Sequence, residues 1–403
     1  MDIRKKEDEI CDVIRSRLEK NHIMKFPGSK TPVLLISEQY PGLWLEHVYD
    51  SIIYATLDTS KLYLAESAID LFISARKEDG QLPYKVVSDG SRGYSQIQEC
   101  VSFARLSLLV YEMNQNSEFL RRAYDAGKDW ACWLRAHRMT MGKGLIELFV
   151  GHDTGHDNSK RLSGLSCPLH YIVDGVHQNA KILPPNETVA PIIAVDMNAN
   201  YFATLTALSK MAEILGLQEE AKTWANEARA VKKALFSICF DKDEAFFFDV
   251  DRNGNKRRYL SSTIFHLFME GVLDKDEDRE LIEEIKRRHI LNPEEFATPY
   301  PFPSMAISDK SCEGHATFNS WGYYSQGLIA LRATLWMDEY GLSRELDALC
   351  RAWLSAWTEH FDYVKLGQEL DPITGVPTKS SEWYSSTMLF YLYAKKRLDR
   401  TTT

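Results

Sequence analysis

The stretch Val195–Cys239, VDMNANYFATLTALSKMAEILGLQEEAKTWANEARAVKKALFSIC, decides how the whole chain is read. Apolar residues recur at i, i+3, i+4 and i+7 on both sides of LGLQEE at 215–220, and Gly216 stands where a helix would end. The spacing predicts a helical hairpin, 196–215 and 217–238. The same periodicity predicts helices over 2–20, 47–57, 60–77, 98–114, 117–137, 259–270, 277–288, 319–341, 343–359 and 383–397. Several pair across short turns, such as NQNSE after 114 and EYGLSRE after 338, where Gly341 is a second helix terminator. Long connections at 21–46, 78–97, 138–195, 289–318 and 360–382 hold most of the Gly, Pro, His and Asn. About twelve helices in antiparallel hairpins predict an all-α (α/α)6 toroid, a six-hairpin barrel whose long loops build a shared pocket at one end. A small β-hairpin is expected within FDKDEAFFFDVDRNGNKRRY, where RNGN is a turn signal. No linker or composition break splits the chain, so residues 1–403 are expected to form a single domain.

Composition narrows the function. Of 403 residues, 44% are hydrophobic and 26% charged, enough to bury a substantial core. A formal net charge of -9, with no basic block interleaved with aromatics, argues against nucleic acid as a partner. No apolar run is long enough to span a membrane, and the charged amphipathic N-terminus is unlike a secretory signal. Seven scattered cysteines without a CxxC pair suggest free thiols and a cytoplasmic location. Aromatics beside Asp, Glu, Gln or Asn in PGLWLEHVYDS, DGQLPY and KSSEWYSS suit the faces and hydroxyls of sugars. The sequon at Asn186 is read as accidental, and neither a phosphate-cradling loop nor a GxSxG elbow is present.

The densest cluster of reactive side chains is FVGHDTGHDNSKRL, Phe149 to Leu162. As a metal site it would use His152 and His156, one helical turn apart, with Asp153 and Asp157 beside them, but Gly155 and GHDNS are poor helix formers and no other clear ligand cluster stands elsewhere. No metal and no cofactor are therefore expected. As a solvated loop it has the Asp, Asn, Ser and Gly that turns use. As a proton-transfer site it would hold a carboxylic acid near a leaving group.

DTGHDNSKR resembles the ESGMDNSPR-type motif of glycoside hydrolase family 63, the α-glucosidase and mannosylglycerate hydrolase group related to trehalases. The resemblance places Asp153 on the motif's Glu, Asp157 on its general acid, and Asn158, Ser159 and Arg161 on the residues that follow. WLEHVYDSIIYA resembles the family's WxWDS-type segment, with Trp44 and Asp50-Ser51 in sugar-contacting places and altered spacing. DGQLPYKV, VDMNANYFATLTALSKMAEILG, TPYPFPSMAISD, NSWGYYSQGLIALRATLWMDEYG and DPITGVPTKSSEWYSS follow in the family's order, covering roughly residues 40–395. The resemblance implies the same toroid and makes Asp157 the proton donor. It needs a raised pKa, which desolvation or the neighbouring Asp153 would supply; Arg161 and Lys160 are expected to point elsewhere, toward substrate.

An inverting glycosidase also needs a carboxylate that activates water, typically about 6.5–9.5 Å from the acid. The family's base lies four residues before the Pro of xPxTG, and here that residue is Gln368, with Glu369 next to it. Glu369 is the expected base, although adjacent residues of a strand face opposite ways. Glu382 and Glu46 are the alternatives, and a phosphorylase or a catalytically inactive sugar-binding protein would need no base. Trp44, Trp321 and Trp383 are candidate sugar platforms, and core packing competes for each. Asp50, Tyr84, Gln96, Asn158, Arg161, Gln368 and Trp383 complete the expected substrate contacts; Gln98, Glu313 and His315 are also candidates. The leading expectation is an inverting, exo-acting α-glycosidase acting on a small α-glucoside or α-mannoside, as a monomer or homodimer. A sugar isomerase or epimerase using the loop histidines, an inverting phosphorylase, and a sugar-binding protein remain open.

Overall fold

The computed structural model describes residues 3–317 and 319–401. Residue 2 of the expected first helix, residue 318 and both extreme termini of the expected single domain lie outside them. Among the described residues twelve α-helices run α1 Ile3–Arg17, α2 Val48–Leu57, α3 Leu62–Ser74, α4 Phe103–Asn114, α5 Ser117–His137, α6 Val195–Ile214, α7 Gln218–Cys239, α8 Ile264–Met269, α9 Arg279–Ile285, α10 Gly327–Ala333, α11 Ser343–His360 and α12 Ser385–Thr401. The even-numbered helices contact one another from α2 through α4 and α6 to α8, and again from α10 through α12 back to α2. They form the inner ring of an (α/α)6 toroid. The odd-numbered helices lie outside them, with α3 on α2, α5 on α4, α7 on α6 and α11 on α12.

Side-chain patterns explain this division. In α6 nearly every face is buried, from Val195 and Met197 to Leu205, Leu208 and Met211, as an inner-ring helix requires. In α7 burial is confined to Ala221, Trp224, Ala228, Val231, Leu235 and Cys239, a single stripe at helical spacing. Most of the buried apolar side chains join in one continuous cluster. All seven cysteines are free. Among the described residues no helix is long and apolar enough to cross a membrane.

Several expected helices are shorter than their periodicity suggested, among them 259–270, which is helical at Ile264–Met269, and 277–288, which is α-helical at Arg279–Ile285. The segment expected as 319–341 is helical only at Gly327–Ala333, because Ser325–Gln326 pairs as a strand with Glu369–Leu370 instead. The helix expected from 98 begins at Phe103, capped by Ser102, whose hydroxyl accepts from the Arg105 amide at 3.1 Å. The expected hairpin forms as two ladders, Phe240–Asp241 with Phe246–Phe247 and Asp249–Val250 with Lys256–Arg257.

Candidate active site

The loop after residue 148 begins with a 3-10 turn, Gly151–Thr154, closed by Gly155 at φ +71°. A Cβ on Gly155 would lie 2.9 Å from Glu46 Oε2, so position 155 demands glycine both for its backbone and for this approach. Asp153 is fully buried in a pair with Arg138, whose Nη1 and Nη2 donate to it at 2.6 and 3.1 Å. It also accepts from the amides of Ile97, Phe149 and Val150. That carboxylate therefore fixes the loop's shape and is not the free anion expected beside Asp157.

Asp157 comes out on the open side of the loop, where its side chain is one-third exposed. His152 Nε2 lies 3.1 Å from Oδ1, and the Asn319 amide donates to Oδ2 at 3.1 Å. A pocket of about 510 Å³, counted out to its open mouth, surrounds it. Its walls are Ile36, Tyr40, Trp44, Glu46, His47, Gly155, Asp157, Asn319, Trp321, Gln368 and Tyr384. A lining of aromatic rings and carboxyl groups suits a small, partly apolar ligand such as one sugar ring. A larger groove beside α1 and α12 is lined by residues that already pair with one another, such as Arg15 with Asp12 and Lys395 with Asp8, and holds none of the motif residues.

The second carboxylate in this pocket is Glu46. Its Oε1 accepts from Gln98 Nε2 at 3.1 Å, and the Cys100 thiol donates to Oε2 at 3.5 Å. Burial pushes its pKa up to about 7; Arg332 opposes that shift and the Asp157 charge adds to it. Glu369, the expected base, faces the other way. Gln368, the residue before the Glu369–Leu370 strand, looks into the pocket and Glu369 into the protein, as alternation along extended backbone requires. Its carboxylate accepts from the amides of Asn319 and Ser320, from Gln326 Nε2 and from Thr378 Oγ1. Burial raises its pKa and those hydrogen bonds pull it back. Glu369 is thus an anchor for the 319–326 segment. Glu382 accepts from the Lys365 amide and is also absent from the pocket walls.

Other expected contacts divide in the same way. Trp44 lines the pocket, with Lys85 Nζ 5.0 Å from its ring centroid. Trp321 lines it too, stacked on His156 at 4.3 Å. Trp383, at φ +56°, packs against Phe361 and Arg17 away from the pocket. Arg161 is buried between Asp196 and Asp249, each at 2.6 Å, so it ties α6 to a strand and does not reach substrate space. Asp50 is buried against the hydroxyls of Ser385 and Ser386, and burial raises its pKa to about 6. Tyr84 is not among the pocket walls and lies near His170, 6.3 Å between ring centroids. Gln96 donates to the His152 carbonyl at 2.8 Å, and Asn158 to the Asn319 carbonyl at 2.7 Å; both brace the acid loop. Gln98 reaches the site through Glu46. His315 stacks on Tyr323 and Glu313 is exposed, both outside the walls. His152 and His156 diverge, the first toward Asp157 and His170, the second onto Trp321. Among the described residues no three metal-binding side chains converge.

Sequence reasoning missed Tyr40, His47, Asn319 and Tyr384. His47 and Tyr384, joined at 2.6 Å, come from opposite ends of the chain, and no local pattern announces such a pair. Asn319 had one signal, the polar run NSWG just before an apolar helix.

The sequence model of the mannosylglycerate hydrolase MGH1-like glycoside hydrolase domain matches residues 47–385. No sequence among curated proteins matches this chain. Among solved structures, a GH63 mannosylglycerate hydrolase from Thermus thermophilus in complex with glucose superposes with a TM-score of 0.71 at 18% identity, covering 95% of this chain and 99% of that one. The same enzyme in complex with Tris and D-glycerate gives 0.69 at 16% identity, covering 97% and 99%. The neutral trehalase Nth1 from Saccharomyces cerevisiae gives 0.69 at 14% identity, covering 97% of this chain and 81% of that one.

Proposed function

Because the chain belongs to the mannosylglycerate hydrolase MGH1-like glycoside hydrolase family and is a glycoside hydrolase, we propose that it is an inverting, exo-acting α-glycosidase in which Asp157 is the acid and Glu46 the base. The observation that carries this reading is the pocket itself: it holds two carboxyl groups, Asp157 and Glu46, between the aromatic walls Trp44, Trp321 and Tyr40. In the forward step Asp157 protonates the departing glycosidic oxygen. Glu46 takes a proton from the water that attacks the anomeric carbon from the opposite face, so the configuration inverts. A base that titrates near 7 is well matched to that task at neutral pH.

The small pocket favours a single terminal glucosyl or mannosyl unit. Beside it lie His152, His170 and His177, and Lys85 packs over the rings of Trp44 and Tyr84. Burial, and then the neighbouring imidazoles and the Lys85 ammonium, hold His170 down at about 4, so it stands there as a neutral imidazole near pH 7. The Lys85 ammonium, with imidazole N–H donors beside it, favours an acceptor with an acidic group, as the D-glycerate in one structural neighbour has. The test is proton NMR of α-glucosides and α-mannosides, with neutral and carboxylate aglycones, with and without phosphate. The reading expects the β-anomer as first product and no phosphate requirement. Release of the α-anomer, or turnover only with phosphate, would overturn it.

A further inference from the structure

Gln368 occupies the place where the resemblance puts the family's base, yet it is neither idle nor directed at water. Its Nε2 donates to Asn319 Oδ1 at 3.1 Å, and Asn319 Nδ2 donates to Asp157 Oδ2 at 3.1 Å. The backbone of Asn319 is fixed: its amide donates to Glu369 at 2.7 Å and its carbonyl accepts from Asn158. Among the described residues its side-chain amide meets only Gln368 and Asp157. Two carboxamides in series, attached to a rigid backbone, therefore end on the proton donor.

We infer that Gln368 is a positioning residue which, through Asn319, keeps Asp157 hydrogen-bonded in both its ionised and its protonated form. The inference rests on the reading of Asp157 as the acid. With Asp157 ionised, both amides donate toward it. With a proton on Oδ2, both turn over: Asp157 donates to Asn319 Oδ1, and Asn319 Nδ2 donates to Gln368 Oε1. No proton crosses the amides; the only one that moves passes from Asp157 to the leaving oxygen. A carboxamide serves at 368 because it donates in one state and accepts in the other. A carboxylate there accepts only, so it would hold Asn319 in the orientation that favours the protonated acid.

Other groups facing Asp157 are His152 at 3.1 Å, with His170 beyond it, then Glu46 and Tyr40 across the pocket, and Glu369 behind the Asn319 amide. None of them changes in the test. In Gln368→Glu the alkaline limb of kcat/KM, where the donor's proton is lost, should move up by about one pH unit. In Gln368→Met kcat should fall about tenfold with that limb not raised. Side-chain amide signals of Gln368 and Asn319 in the unaltered protein should titrate together, with one midpoint. The inference is overturned if Gln368→Glu raises kcat with the limb unmoved, which would make 368 a vacated base position, or if the two amides do not co-titrate. The underlying reading fails separately, if Asp157→Asn hydrolyses a poor-leaving-group glycoside at the unaltered rate.

Discussion

The loop at 151–161 and the segment at 366–384 solve the same problem differently. Each carries two polar candidates close in sequence, and in each only one reaches the pocket. In the loop, Asp153 is consumed by Arg138 and three backbone amides while Asp157 is left with two partners at the pocket's edge. In the segment, Glu369 is consumed by four donors while Gln368 meets the pocket. A carboxylate ringed by donors is a structural anchor, and one with few donors and an open side is available for chemistry. By this criterion Asp157 is the carboxyl we propose as the acid, and Glu46, from the other half of the chain to Glu369, the one we propose as the base.

The comparison breaks first on activity. Asp157→Asn should lower kcat by about 10³-fold for an aglycone that needs protonation, and far less for an activated aryl glycoside. Steady-state kinetics on the two substrate types measures the difference. Next in size is the anchor in the loop. Arg138→Met leaves Asp153 buried and unpaired, and should cost about 3–5 kcal/mol of stability by denaturant unfolding. The anchor in the segment is smaller. Glu369→Gln removes one acceptor oxygen from the Ser320 and Gln326 donors, costing about 1–3 kcal/mol with a roughly tenfold loss of kcat through Asn319.

The smallest effect has the opposite sign. Glu46 titrates near 7 when folded and near 4.5 when unfolded, so the folded state holds the extra proton between those values. Stability from this group is greatest below that window and declines as pH rises through it. Glu46→Gln should therefore stabilise the protein by about 2 kcal/mol at pH 8 and by nothing at pH 4, while lowering hydrolysis about 10³-fold. Thermal melts at the two pH values read the crossover.

Much of this was legible in the chain. Hairpin periodicity gave the toroid, because inner helices such as α6 and outer ones such as α7 differ in how much of their surface is apolar. The loop's turn was legible because Gly155 obeys local geometry. Register was only half legible. Strand alternation warned that Glu369 opposes Gln368, but the four donors that fix Glu369 inward come from 319–326 and 378, invisible to any window around 369. Arg161 and Trp383 were misplaced for the same reason. Burial partners Asp196 and Asp249 for the first, and Phe361 and Arg17 for the second, lie far away in sequence.

The account turns on which glutamate serves water. Glu46→Gln and Glu369→Gln, assayed side by side on the same α-glycoside with added azide, decide it. Glu46→Gln should lose about 10³-fold of hydrolysis and regain turnover as the inverted glycosyl azide, with Glu369→Gln merely slowed. Azide rescue confined to Glu369→Gln, with Glu46→Gln still hydrolysing normally, would contradict it.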